Sequence, residues 1–316
     1  MKNTNYSFVT TAIFLFVGLP ILLAAQHSPL SVTYDQNRSG DYIFYAQNDS
    51  NTPRVVVINF SELRNLQASN SLPHATNVGA NRRTRLLKLY KTYDKNTSNF
   101  RYRYKSFSGC INTEPKDVAY LLPFPEDVAG TMLKLSYAGN YINKATPKSW
   151  YNMMFQFDKA IPITAARKGT VITTRDENNS NAQGLLYTSK RNTVTVVHED
   201  CTFARYSIFK DREIYVNEGD VVYPGDTLGM SAGDEFEMGN QIRLYIYYRN
   251  DASIAFDPAE TTNVPTWISY KPKFLIEKNQ IGFLQPKNLY TAIYTEKIIT
   301  KEMGRRERKK WKKKNN

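Results

Sequence analysis

The sequence predicts an all-β protein in two parts, a β-sandwich-like N-terminal domain followed by a larger β-sheet core. Three observations carry this. Short runs rich in Tyr, Phe, Val and Ile recur along the chain, some with strict period-two alternation, and 22 Tyr and 16 Phe give a core ample material. Polar clusters rich in Asn, Ser, Lys and Pro separate the runs as turns. No stretch shows the three-to-four-residue apolar spacing of a long amphipathic helix.

Taken in order, residues 1–25 read as an export signal: Lys2 gives a positive start and an apolar run from Ala12 to Ala25 follows, interrupted by Pro20. The run is shorter than the roughly 20 residues of a bilayer span. Leu23 is larger than the small residue favoured three positions before a cleavage point, so cleavage and retention as an N-terminal anchor both stay open. Residues 26–117 form the first domain, with strands expected at Tyr42–Gln47, Val55–Phe60, Arg85–Lys91 and Phe100–Lys105. The segment Phe100-Arg-Tyr-Arg-Tyr-Lys105 alternates aromatic and basic residues, as a half-exposed strand does. Asn48–Pro53 and Lys95–Ser98 are the intervening turns.

Val118–Phe124 opens the second domain as a strand, Pro125–Ser149 reads as a loop across its face, and the core runs to about residue 295. Its most specific segment is Val216-x-x-Gly219-Asp220-x-Val222-x-x-Gly225, with Gly229 beyond. Glycines at tight reversals permit short hairpins while Val216, Val222 and Leu228 fill the core. Biotinyl and lipoyl carriers use a similar hairpin, but they present a Lys at a sharp turn, and this segment has none.

Ala165–Val171, Asn192–Ser207, Val216–Gly233 and Gln241–Tyr248 together resemble, in order and spacing, the core of the lysostaphin/LytM-type zinc endopeptidases that cut peptidoglycan cross-links. Tyr120–Phe124 and Tyr151–Arg167 extend the resemblance to the Bacteroidetes-type members. The family holds zinc through an HxxxD motif and the second His of HxH, and uses a YxH His and the first HxH His in catalysis. The resemblance places Trp150 and Met154 at HxxxD, Tyr206 and Ile208 at the ends of YxH, and Arg243 and Tyr245 at the ends of HxH. None is a zinc ligand of the expected kind. The resemblance therefore implies a degenerate member: no catalytic residues, no metal ligands, the family's zinc absent. Trp150, Met154, Tyr206, Ile208, Arg243 and Tyr245 are the expected groove residues.

The three histidines are His27, His74 and His198. His198 reads as a strand-end or core-edge residue. A relocated metal site with Glu199, Asp200 or Cys201 is disfavoured, because neighbouring residues on a strand point to opposite faces. Asp234, Glu235 and Glu237 read as a solvated charged turn rather than a paired-carboxylate site. Cys110 and Cys201 either form one disulfide across the two domains, as export favours, or remain two buried thiols.

Net charge is +13, and eight basic residues of Gly304–Asn316 against Glu307 supply +7 of it. The folded part then has no basic excess that points to nucleic acid. Residues 296–316 are expected to be a disordered basic tail in contact with an anionic membrane. The reading that follows is a non-catalytic envelope protein, exported and periplasmic or envelope-associated, that binds peptidoglycan peptide or a protein partner as regulator or scaffold. An active cell-wall peptidase with a non-standard site, and a purely structural envelope subunit, are the alternatives.

Overall fold

The computed structural model describes residues 29–92, 97–137, 139, 145–177, 191–233 and 238–315. The export segment and the acidic residues Asp234, Glu235 and Glu237 lie outside these. The expected all-β architecture is observed, in several mainly antiparallel sheets with two short helices near the end.

The first part contains β1 (Leu30–Gln36), β2 (Tyr42–Asn48), β3 (Arg54–Arg64), β4 (Leu66–Ala68), β5 (His74–Val78), β6 (Arg82–Lys91) and β7 (Asn99–Ser108). They make two sheets, ordered β1-β2-β6-β4 and β5-β3-β7. Inward residues of both, including Leu30, Phe44, Ala46, Val56, Ile58 and Leu89, close one core edged by Phe60, Phe100 and Tyr102. Leu86 and Leu87 are consecutive yet both belong to that core. A bulge permits it: the register passes from Phe44↔Leu87 to Tyr45↔Arg85 and leaves Leu86 unpaired. The expected strands at Tyr42, Val55, Arg85 and Phe100 are present. The strand Leu30–Gln36 was not expected.

The second part contains β8 (Ala119–Tyr120), β9 (Ala129–Lys134), β10 (Met153–Gln156), β11 (Pro162–Thr164), β12 (Gly169–Arg175), β13 (Thr193–Val197), β14 (Phe203–Ser207), β15 (Phe209–Ile214), β16 (Val221–Val222), β17 (Thr227–Ser231), β18 (Gln241–Arg249), β19 (Trp267–Ser269), β20 (Lys273–Glu277), β21 (Gln280–Gly282) and β22 (Leu289–Thr291). A nine-stranded sheet runs β16-β12-β13-β14-β18-β10-β9-β22, with β19 also on β18. Smaller sheets, β11-β17-β15 and β21-β20-β8, share its core: Tyr120, Phe155, Ile163, Val196, Tyr206, Leu228, Leu244 and Phe274 fall in one buried cluster. The expected strand Val118–Phe124 is reduced to two residues. Beyond it, Leu121 N–H donates to the Ala166 carbonyl at 2.8 Å.

The repeated Gly-Asp turns fold as their chemistry dictates. Asp220 N–H donates to the Asn217 carbonyl, and Asp226 N–H to that of Tyr223. Each Asp carboxylate accepts in return from the first turn residue, Asn217 N–H and Tyr223 N–H, both at 2.8 Å. The third residue of each turn is glycine at positive φ, +97° at Gly219 and +95° at Gly225. Glycine at that position, with Pro224 preceding Gly225, is what a type II turn requires.

Several links clasp the two parts. Cys110 and Cys201 are disulfide-bonded, with Cα atoms 6.0 Å apart. Asn112 N–H donates to Asp251 at 2.9 Å, and Lys116 N–H to Asp200 at 2.9 Å. The expectation of a disordered tail is corrected: α1 (Glu296–Ile299) and α2 (Arg305–Asn315) are helical, and Glu307 of α2 is bonded to Lys168 and Tyr223 of the core. No helix among the described residues is long and apolar enough to cross a membrane.

Candidate binding face on the long sheet

Alternation along β18 sorts its residues. Ile242, Leu244 and Ile246 point into the core. Arg243, Tyr245 and Tyr247 therefore share the other face, half-buried. In register, Arg243 stands between Met154 of β10 and Ser207 of β14, and Tyr245 stands beside Arg205. Arg243 Nε donates to Gln241 Oε1 at 2.9 Å. Arg205 is exposed.

An aromatic row follows this face. Ring centroids are 4.9 Å apart for Tyr137–Trp150, 5.4 Å for Trp150–Tyr245 and 4.8 Å for the stacked pair Tyr245–Tyr247. Tyr247 then meets Phe203 at 5.4 Å and Trp267 at 5.0 Å. Arg249 ends the row, 5.2 Å from the Trp267 ring and 5.1 Å from Phe107 in the first part. Trp150 Nε1 donates to the Leu135 carbonyl at 3.0 Å, and the Tyr245 and Ser269 hydroxyls share a bond of 3.1 Å. Burial pushes the Tyr247 phenol up to about 12 and raises Tyr245 too, so both stay protonated.

The six expected groove residues thus divide. Trp150, Arg243 and Tyr245 come together on the face. Met154 lies on it but is fully buried. Tyr206 points the other way, into the core, and its hydroxyl accepts from Ala166 N–H at 2.8 Å. Ile208 is buried at φ +83°. Of the expected groove residues, Met154, Tyr206 and Ile208 are therefore buried, whereas Trp150, Arg243 and Tyr245 are partly open. Arg205, Tyr247 and Trp267 were missed, although the period-two string Arg243, Tyr245, Tyr247, Arg249 was a signal for the row.

Zinc does not fit this donor set. The position opposite Arg243 holds a thioether, the neighbouring tyrosine keeps its proton, and a guanidinium would repel a dication. No group of three His, Cys, Asp or Glu able to hold a metal occurs among the described residues.

A second polar centre lies at the far end of β12–β14. Arg167, 1% exposed, donates through Nε and Nη2 to both Glu302 oxygens at 2.8 and 2.7 Å. Its Nη1 donates to Asp200 at 2.8 Å, Tyr120 at 3.1 Å and Thr202 at 3.3 Å. Burial would raise Asp200, but the Arg167 charge and the Thr202 hydroxyl hold its carboxyl below the usual range. Beside it, His198 Nδ1 lies 2.8 Å from the Lys168 carbonyl oxygen, which makes it the donor, and buried Nε2 has no partner among the described residues. Burial, reinforced by the Arg167 charge, lowers His198 to about 4. The histidine is a core residue at the end of β13. Its neighbours are committed elsewhere: Asp200 to Arg167, Glu199 to Lys116 at 2.8 Å, Cys201 to the disulfide. A cavity of about 800 Å³ adjoins this centre, lined by His198, Lys116, Lys301 and Glu307 among others.

No protein-family model matches the sequence, and no curated protein matches it. Among solved structures, the chain is similar to a candidate LytM glycyl-glycine endopeptidase from Ruminococcus gnavus, at 17% identity and a TM-score of 0.29. That match covers 46% of this chain and only 59% of the other. A chain of the SpoIIQ–SpoIIIAH pore forming complex matches at 19% identity and a TM-score of 0.25, over 48% of this chain and 92% of that one. A zinc-containing peptidase from Vibrio cholerae matches at 11% identity and a TM-score of 0.28, over 68% and 81%.

Proposed function

We propose that this is an exported, non-catalytic envelope protein with a LytM-type core, whose long-sheet face holds an extended peptide, from peptidoglycan or a protein partner, without cutting it. The observation that carries the reading is Arg243 between Met154 and Ser207, at the position the sequence resemblance assigns to a catalytic histidine. A guanidinium there pairs with carboxylates rather than with metal. The aromatic row beside it offers flat apolar surface with polar edges, and Arg205 adds an exposed cation. With Met154, Arg243 and Tyr245 at these positions, the face has no donor set to hold a metal that would acidify water, which supports the non-catalytic reading.

The test is co-sedimentation of the protein with purified peptidoglycan sacculi, alongside titration with free stem peptide. Arg205→Ala with Trp150→Ala should weaken retention at least tenfold, while the sacculi stay intact during incubation. Solubilisation of the sacculi would overturn the non-catalytic reading. Absence of binding to both sacculi and stem peptide would remove peptidoglycan as the ligand.

A further inference from the structure

The helix α2 is a rigidly mounted cationic surface. Its inner side is fastened: Glu307 accepts from Lys168 Nζ at 2.7 and 2.9 Å and from the Tyr223 hydroxyl at 2.9 Å. Glu307 also accepts from Gly304 N–H at 2.6 Å, closing the first turn as the acidic member of a capping box does. Arg308 reaches the Thr300 carbonyl at 3.2 Å, and Lys312 pairs with Glu296. Trp311, four residues after Glu307, falls on the same inner side.

The outer side carries Arg305, Arg306, Lys309, Lys310 and Lys313, all exposed. Helical spacing sets them in two rows, 305–309–313 and 306–310, with like charges one turn apart. That arrangement opposes helix formation, and the first-turn arginines oppose the helix dipole. Among the described residues no ion pair offsets these terms on the outer side, since the carboxylate contacts lie on the inner one. A counter-charged partner would.

We propose that α2 is a docking surface for anionic phospholipid headgroups, bound electrostatically and without insertion. Two parallel rows of cations along about 12 Å of straight axis match a flat lattice of single negative charges. The outer side bears no apolar residue that could enter the acyl region, which separates it from amphipathic membrane helices. The inference is independent of the long-sheet face.

The experiment compares full-length protein on vesicles of phosphatidylcholine mixed with phosphatidylglycerol and on phosphatidylcholine alone, at low and high salt. Any contribution of the N-terminal apolar segment enters both compositions, so the difference between them is the readout. Wild type should prefer the anionic vesicles, and the preference should vanish at high salt. Arg305→Gln with Lys309→Gln should lose about thirtyfold of it, and glutamine at all five positions should abolish it with no change in melting temperature. Trp emission should not shift on binding. An equal preference in the five-glutamine variant, or binding of wild type to double-stranded DNA but not to anionic vesicles, overturns the proposal.

Discussion

Both carboxylate oxygens of Glu302 close on the guanidinium of Arg167, 135 positions earlier in the chain, where only 1% of the arginine side chain meets solvent. A buried cation of this kind depends on every partner. Removing one carboxylate leaves charge in a low-dielectric site, which costs about 3 kcal/mol.

Glu302→Ala should therefore destabilise the protein by about 3 kcal/mol in urea unfolding. Deletion of residues 304–316 removes the partly exposed Lys168–Glu307 and Lys312–Glu296 pairs and the Tyr223–Glu307 and Arg308–Thr300 hydrogen bonds, and should cost less than the loss of Glu302. If the deletion proves more damaging than the point substitution, Arg167 is not what holds the C-terminal segment.

His198 should give stability a distinct pH dependence. Its folded value, about 4, lies below its ordinary 6.5, so between the two the unfolded chain takes up a proton the folded protein refuses. The contribution is whole above pH 6.5, shrinks as pH falls and is gone near pH 4. Its size is about 3 kcal/mol. In His198→Asn, which keeps a donor for the Lys168 carbonyl, this part of the acid sensitivity should disappear. Identical urea midpoints across the acid series in both proteins would count against it.

Gly225→Val should lower the melting temperature strongly, because a Cβ there meets the Tyr294 ring at 2.8 Å and φ is +95°. Arg243→Ala, on a half-open face, should leave it nearly unchanged. Calorimetry on the two variants decides, and equal shifts would refute the turn assignment.

Purified protein should carry no stoichiometric zinc, because Met154, Arg243 and Tyr245 offer no suitable donors. Elemental analysis that finds one tightly held zinc per chain would reverse this.

Local pattern made much of the fold legible. Val216–Gly233 announces its hairpins because Gly and Asp act within four residues, β2 and β7 announce themselves by alternation, and β3 by its apolar run Val55–Ile58. Other features depend on distant partners. Nothing near Arg167 says that Glu302 will reach it, and Ala165-Ala166-Arg167 looks no different from an exposed turn. The helix α2 was misread for the same reason: its own composition argues against order, and what holds it is Lys168 and Tyr223. On the long-sheet face, Arg243 and Tyr245 were visible as departures from the motif the sequence resembles, whereas the burial of Met154 and the inward turn of Tyr206 follow from strand parity and register.

The Arg167 centre also constrains the order of assembly. β8 pairs with β20, β9 with β22, and the guanidinium gains its bidentate partner only at residue 302. A chain emerging from the ribosome or a translocon can form the Gly-Asp hairpins early. It holds an incompletely neutralised cation at its centre until residue 302 arrives. Such long-range closure slows folding. The nascent core therefore stays open through most of synthesis and closes only when the last strands and Glu302 have been made.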